Sequence, residues 1–296
     1  PRSRVDVALT DYSVAAIDQL KRPYIRGKDL KLHTDSDADL AKARESLKAQ
    51  ATFTNAQVPD LRAYNRFLPN DHLRFDGGSG TLTGQLALDA AGQAGNGQVR
   101  IAARAAQVRA AGLAMRGDVD VDLRLKRADL QRQRFAVDGS TVALKNISFA
   151  HAGLSRSGWW ANVSLPRAQM DVADERLAVQ GTVSTQMKDV GFLLDLFSQD
   201  RDYPGWMVKL VDAGTVRAST RVRWRQHDLV LDDIDARNDR FDLVGRFRLQ
   251  GRDKAQGDLY ARWGVLGAAV ELRNGAHTFH VLGAKRWYEA QPGFLD

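Results

Sequence analysis

The chain of 296 residues contains no cysteine. This absence excludes disulfide bonds, thiolate metal sites and cysteine nucleophiles, and it suits an oxidising compartment in which stray thiols are a liability. Long apolar runs are also missing, since no stretch of about 18 apolar residues could cross a bilayer as a helix. No signal peptide precedes the first strand-like segment, so we expect the chain to be a piece of a longer protein whose anchor or export signal has been removed.

Motifs for catalysis and for cofactor binding are absent as well. The Gly-Gly-Ser-Gly sequence at 77–80 lacks the Lys-Ser/Thr ending of a phosphate-binding loop and is interpreted as a turn. No Gly-x-Ser-x-Gly or His-Glu-x-x-His sequence occurs. His277 and His280 are three positions apart in a strand pattern, which puts them on opposite faces and unable to share a metal. We therefore expect no enzyme activity, no cofactor and no metal, and we predict surface positions for His33, His72, His151 and His227.

The balance of charge is basic, with a net charge of +7 and a sequence pI of about 9.7. A basic protein is attracted to phosphate groups of nucleic acids or anionic lipids, although solubility alone also explains such a charge. Lys and Arg form no tight cluster with interleaved aromatic residues, which argues against nucleic acid as a partner. Asp118, Asp120 and Asp122 share one face of a strand pattern and could bind Ca²⁺, but the flanking Arg116 and Arg124 favour cross-strand ion pairs.

The feature that dominates the sequence is alternation of apolar and polar residues. From Leu113 to Leu125 every odd position except Gly117 is apolar and nearly every even position is charged. This period of two is typical of a strand with one apolar face and one solvated face. Similar segments recur along the chain and predict about 16 to 18 strands with three or four short helices. The helices are expected at 11–21, 37–49, 60–68 and 190–197.

The predicted fold is therefore all-β, a long curved antiparallel sheet that forms an open groove. We divide it into an N-terminal part with strands and an amphipathic helix (1–50) and a β-groove (51–296). The groove contains two similar units, at about 51–180 and 181–296, because a short helix followed by a Gly-Thr-Leu or Gly-Thr-Val strand start occurs in both. Chance similarity between two β patterns is the alternative explanation.

The segment 53–88 resembles a recurring block of the AsmA-like bacterial envelope proteins, which are related to TamB, to YdbH and to the eukaryotic bridge-like lipid transporters. The resemblance rests on Asn-Ala-Gln-Val-Pro-Asp-Leu at 55–61, Tyr-Asn-Arg-Phe-Leu-Pro at 64–69 and the strand pattern around Asp-Gly-Gly-Ser-Gly at 76–80. It implies an N-terminal inner-membrane anchor, missing here, and a periplasmic curved sheet that passes phospholipid along its apolar face. The resemblance also implies other envelope proteins as possible partners. The family has no catalytic residues to assign to this chain.

The residues themselves are consistent with that function. A trough with an apolar concave face would hold acyl chains, because each methylene removed from water gains about 0.8 kcal/mol. The alternative is that two sheets close on each other and these residues form a dry core, in which case the protein would be a β-solenoid or sandwich scaffold for outer-membrane assembly without lipid. The predicted lining residues are Leu82, Leu86, Leu88, Val99, Ile101, Leu113, Met115, Val119, Val121, Leu123, Phe241, Leu243 and Phe247.

Overall fold

A computed structural model describes residues 1–68, 72–89, 94–111, 113–129, 132–151, 154–173, 176–191, 214–251 and 254–295. Within these ranges the protein is all-β, as predicted, and its 18 strands form a single sheet. All pairs of neighbouring strands run antiparallel.

The strands are longest in the first two thirds of the chain, where each repeats the alternation seen in the sequence. Their bounds are β1 Arg2–Leu9, β2 Tyr12–Val14, β3 Ile25–Gly27, β4 Leu30–Asp37, β5 Lys48–Val58, β6 Leu73–Asp89, β7 Ala94–Ala110, β8 Leu113–Asp129, β9 Arg134–Ala136, β10 Ser140–His151, β11 Leu154–Ala173, β12 Arg176–Met187, β13 Val216–Arg225, β14 Asp228–Arg237, β15 Asp242–Gln250, β16 Lys254–Trp263, β17 Leu266–Arg273 and β18 Ala276–His280.

Most strands pair with the strands that precede and follow them in the chain, so the sheet is a long meander. The short β9 and the longer β10 lie end to end between β8 and β11. In the same way β3 and β4 share one side of β5, with β2 and β1 beside them. Among the described strands, one edge of the sheet is therefore formed by β1 and β2 and the other by β18.

Within the described ranges, four short helical segments connect or flank the strands. Helix α1 is Leu40–Ser46 and begins at Asp39, whose carboxylate accepts a hydrogen bond from the amide of Ala41 at 3.0 Å. A 3₁₀ helix covers Leu61–Phe67, a single 3₁₀ turn covers Ile17–Gln19, and helix α2 covers Ala284–Glu289. The sequence did not predict α2.

Two local predictions are wrong. The helix expected at 11–21 is instead strand β2 followed by the 3₁₀ turn, because the chain there doubles back to pair β2 with β3. The Gly-Gly-Ser-Gly sequence is no turn but lies inside β6, where the register against β7 shifts. Glycine suits this place because Gly78 has a φ of 110° and a Cβ there would lie 2.8 Å from Ala106 Cα. Of the helix expected at 190–197, residues 192–197 lie outside the described residues.

The strands are interrupted by β-bulges that carry a residue in the left-handed conformation. Such residues sit at register shifts in β5, β7, β10 and β14. In β5 and β7 the freed backbone amides find side-chain acceptors. The hydroxyl of Thr83 accepts from the amide of Asn55, and the carboxylate of Asp118 accepts from the amide of Ala105, both at 3.0 Å. Bulges bend a strand and increase its twist, which curves the sheet. The four residues are Asn55, Ala105, Asn146 and Asp233.

The boundaries expected between domains do not coincide with breaks in the sheet. The position between residues 50 and 51 falls inside β5, which pairs with β4 on one side and with β6 on the other. The position between residues 180 and 181 falls inside β12. Every strand of both proposed units thus belongs to the same hydrogen-bonded sheet.

The C-terminal segment, residues 284–295, packs on the polar face of β14 to β17. The Arg246 guanidinium donates to the carbonyl of Gln291 at 2.5 Å and lies over the ring of Tyr288 at 4.5 Å. The buried carboxylate of Asp232 accepts from the amides of Phe294 and Leu295 at 3.1 and 3.0 Å. The last residues of the segment are therefore held by charged groups that the segment itself shields from water.

This contact predicts the effect of one substitution. We expect Asp232→Ala to lower the free energy of unfolding by about 2 kcal/mol, because two half-buried amides lose a charged acceptor. Asp239→Ala, which removes an exposed carboxylate from the neighbouring hairpin, is the control and should change stability by less than about 0.5 kcal/mol. Urea unfolding gives both values. Amide exchange of Phe294 and Leu295 should accelerate in Asp232→Ala alone, and unchanged protection there would contradict the contact.

Candidate functional site

A row of directly paired residues, nearly all of them apolar, crosses the sheet from strand to strand. Directly paired residues of antiparallel strands point to the same face, so the pairs can be followed from strand to strand. From β5 to β17 this row has a single polar member, Thr185. We name the face that carries it the apolar face. The row consists of Ala56, Leu82, Ile101, Val121, Val142, Val163, Thr185, Ala218, Ala236, Leu243, Ala261 and Ala268.

The strand residues among those predicted to line the groove all lie on this face. In β6, β7 and β8 the pairs Leu82 with Ile101 and Ile101 with Val121 fix their common orientation. Beyond the bulge in β7, Val108 pairs with Met115. The start of β8 therefore also lies on the apolar face. Phe241 lies just outside β15. The sequence therefore placed these residues on the correct side of the sheet, whereas their contact with lipid stays a prediction.

Burial divides the apolar face into two regions. Along β6 to β8 nine of the predicted residues are half-buried and keep part of their side chains accessible: Leu82, Leu86, Leu88, Val99, Ile101, Met115, Val119, Val121 and Leu123. The other four are fully buried, namely Leu113, Phe241, Leu243 and Phe247. These four belong to a large core cluster that continues through Leu259 and Leu272. The accessible part of the apolar face therefore lies in the first half of the sheet.

One end of this accessible region is closed by the 3₁₀ helix Leu61–Phe67. Leu61 packs with Val58, Ala103 and Ala106 in a second buried cluster. The side-chain amide of Asn65 donates to the carbonyl of Phe75 at 2.8 Å and accepts from its amide at 2.7 Å, which fastens the helix to β6. The residues 55–68 that carry the family resemblance thus have a structural role here.

Tyrosines link the same helix to the N-terminal hairpin. The hydroxyl of Tyr64 donates to the carbonyl of Tyr24 at 3.2 Å, and the two rings lie 5.8 Å apart. Burial, together with the neighbouring Tyr24, raises the pKa of Tyr64 to about 12. The phenol therefore stays neutral and remains a hydrogen-bond donor throughout the physiological range of pH.

The polar face carries the ion pairs that the sequence predicted. Asp120 accepts from Arg104 at 2.7 Å and from Lys145 at 2.8 Å, one on each neighbouring strand. Asp122 accepts from the Gln98 amide at 2.5 Å and lies 3.5 Å from Arg124. Cross-strand ion pairing is thus confirmed for Asp120 and, through Arg100 at 4.0 Å, for Asp122, whereas Asp118 accepts a backbone amide.

Concavities that the described residues line lie against the polar face. One, of about 900 Å³, spans β10 to β14, and another, of about 400 Å³, spans β5 to β10. A twisted sheet is saddle-shaped, so each of its faces is concave along one diagonal. The open groove with a concave apolar face, which the sequence predicted, is therefore not confirmed, because these concavities lie on the polar face. Side chains that line the larger concavity include Asn162, Ser164, Gln186, Arg217, Ser219 and Arg237.

The histidines are less uniform than predicted. His72 is buried, with only 2% of its surface exposed, and neither ring nitrogen has a hydrogen-bond partner, so the surface position predicted for it is wrong. His280 stacks on Trp287 with ring centroids 3.9 Å apart, a contact that depends on the unpredicted helix α2. Within the described ranges no group of three His, Cys, Asp or Glu could hold a metal ion. Nor does any described helix have the length and apolarity needed to span a membrane.

The sequence did not predict that the edge strand β1 would expose apolar side chains. Val5, Val7 and Leu9 lie on the apolar face and are 54%, 40% and 39% exposed. Register places Val7 opposite Leu32, which in turn pairs with Ala51 and through it with Leu86. Alternation in the first nine residues was the available signal, because it predicts a strand but not that the strand would end the sheet.

The ion pairs of Asp120 predict a pH dependence. Burial opposes ionisation of this carboxylate, but hydrogen bonds from Lys145 and Arg104 outweigh it and hold its pKa below the ordinary value. A lowered folded-state pKa contributes stability that is complete above the unfolded-state pKa of about 4 and is lost as the pH falls through the folded-state value. We expect Asp120→Asn to unfold more easily than the parent at pH 7, by about 1 kcal/mol or less because the pairs are partly solvated. Thermal melts should converge as the pH falls below about 4, and a constant difference would contradict this assignment.

Comparison of the chain with family models, with curated proteins and with solved structures found no match.

Proposed function

We propose that the protein is a non-enzymatic lipid-handling protein that holds phospholipid acyl chains against its apolar face. The observation that carries the proposal is the apolar row, which continues through adjacent strands from β5 to β17 and is half-buried where it crosses β6 to β11. At about 4.8 Å per strand, a row over twelve strands extends on the order of 50 Å. Such a strip offers hydrocarbon a long surface without specific contacts.

The chemistry of the face suits acyl chains better than a polar ligand. Between β6 and β11 the row presents only aliphatic side chains, and each methylene transferred to it from water would gain about 0.8 kcal/mol. The charged groups that pair with one another across β7, β8 and β10 lie on the opposite face. Phospholipid head groups would remain in solvent, and the net charge of +7 would favour anionic ones.

A scaffold without lipid is the second candidate, and the fully buried half of the apolar face favours it. Leu243, Phe247 and Leu259 are each no more than 1% exposed and behave as a dry core. If the accessible half were covered in the same way by another protein, the sheet would be a structural element only. The two functions differ in one measurable property, which is bound lipid in the purified protein.

The proposal includes the place of the protein in the cell envelope. We propose that it belongs with the AsmA-like envelope proteins, works in the periplasm and is anchored to the inner membrane through a part of the protein outside this chain. Phospholipid would then move along the apolar face between the two membranes, with other envelope proteins as partners. Support comes from the residues at 53–88 and from an all-β sheet with one continuous apolar side.

Two neighbouring residues of β11 provide a test. Val163 belongs to the apolar row, whereas Ser164 next to it points to the polar face. We expect Val163→Asp to abolish copurification of phospholipid, because a charge on this strip would have to be buried under the acyl chain without a partner. Ser164→Asp should leave lipid loading unchanged. Native mass spectrometry and lipid extraction measure the loading, and Val121→Asp on β8 should repeat the loss.

Unfolding experiments on the same variants separate the two candidates. If the face is open, Val163→Asp loses lipid but keeps a cooperative thermal transition near that of Ser164→Asp. If the face is sealed by protein, the charge becomes a buried unpaired group and Val163→Asp should fail to fold. A parent protein free of lipid, together with a Val163→Asp variant that unfolds, would exclude lipid handling and favour the scaffold.

A further inference from the structure

The edge strand β1 has an unusual combination of exposure and pattern. All eight of its residues are exposed, although the strand is fully paired with β4. An edge strand of this kind presents a row of unpaired backbone N–H and C=O groups that can accept another strand. The other edge, β18, has only five residues. Thus β1 is the longer template for a further strand.

One hydrogen bond shows which residues of β1 direct their backbone N–H and C=O groups away from β4. The amide of Ala38 donates to the carbonyl of Pro1 at 3.0 Å, so residue 1 forms a hydrogen-bonded pair with residue 38. Hydrogen-bonded and non-hydrogen-bonded pairs alternate along an antiparallel ladder. The odd residues of β1 therefore bond to β4, and the even residues turn their N–H and C=O groups outward. These outward residues are Arg2, Arg4, Asp6 and Ala8.

We propose that β1 pairs antiparallel with β1 of a second copy of this chain, in the register where Val5 faces Val5. In that register Arg4 of each copy lies opposite Asp6 of the other, and Arg2 lies opposite Ala8. All four of these cross-copy pairs are formed by outward-directed residues, so each makes the two hydrogen bonds of a bonded pair. The strand is thus complementary to itself in backbone and in charge.

Neighbouring registers lack this complementarity. A shift by two residues in one direction places Asp6 against Asp6, and a shift in the other direction places Arg4 against Arg4. Like charges directly opposite each other destabilise a strand pair. A shift by one residue would oppose the polar and the apolar faces. The side chains that decide the register are accessible, because those of Arg4 and Asp6 are 67% and 71% exposed.

The symmetry of this contact extends the apolar face. An antiparallel pair of identical strands has a two-fold axis through the Val5 pair, perpendicular to the sheet, so the same face of both copies lies on the same side. The exposed Val5, Val7 and Leu9 of one copy would then adjoin those of the other. The pairing covers apolar side chains that are otherwise solvated, and it does not depend on whether the face carries lipid.

Single cysteines test the register, since the chain has none of its own. Facing residues of a non-hydrogen-bonded pair have Cα atoms about 4.5 Å apart, which a disulfide can span. We expect Val5→Cys to give a covalent dimer of twice the 32.8 kDa of one chain under mild oxidation. Val7→Cys is the control on the same face and strand, and it should stay monomeric because its counterpart is displaced by about 13 Å along the strand.

Charge reversal tests the same pairing without cross-linking. Asp6→Arg and Arg4→Asp should each be monomeric in sedimentation at concentrations where the parent dimerises. Mixed in equal amounts, the two variants should form a heterodimer, because the Arg pair of one then faces the Asp pair of the other. Formation of the heterodimer on mixing also shows that both variants are folded. A parent that stays monomeric, dimers in both single variants, no heterodimer on mixing, or equal cross-linking of Val5→Cys and Val7→Cys would overturn the proposal.

Discussion

The alternation of apolar and polar side chains gives the sheet two distinct faces only because the register of neighbouring strands keeps the alternation in phase. A shift by one residue in any pair would exchange the apolar and polar faces for the rest of the sheet. The observed pairs keep Leu82, Ile101 and Val121 on one side and then carry that side through the middle strands to Leu243. The apolar face, the ion-paired face and the edge at β1 all depend on this phase.

A β-bulge can disturb this alternation, and each bulge is fixed by a specific contact or conformation. An extra residue reverses the facing of the side chains that follow it unless the bulge absorbs the change. Asn55 and Ala105 take the left-handed conformation there, and Thr83 and Asp118 accept hydrogen bonds from the amides that the bulges free. Asp118 therefore serves the backbone, while its neighbour Asp120 joins three strands through Arg104 and Lys145.

The two halves of the sheet have different environments although their sequences alternate in the same way. In the first half the apolar side chains remain partly accessible, and in the second half Leu243, Phe247 and Leu272 are buried. The polar face also differs, because the C-terminal segment covers it at β14 to β17. Burial there raises the pKa of Asp258 despite the nearby Arg273 and Arg246, whereas the more solvated Asp120 has a lowered pKa. The same type of residue is thus tuned in opposite directions on one face.

The sequence by itself determined the strand content, the facing of Leu82, Val121 and Leu243, and the cross-strand ion pairing of Asp120, although not the identity of its partners. These properties depend on a period of two or on charges spaced along one strand, which are local and visible in the printed chain. Only the tertiary structure decided that Gly78 lies within a strand, that His72 is buried and that the segment at 284–295 docks on the sheet. Those outcomes depend on which distant strand or loop meets each residue. Alternation is the same for an edge strand and a central one, so it could not reveal that β1 would pair on one side only among the described strands.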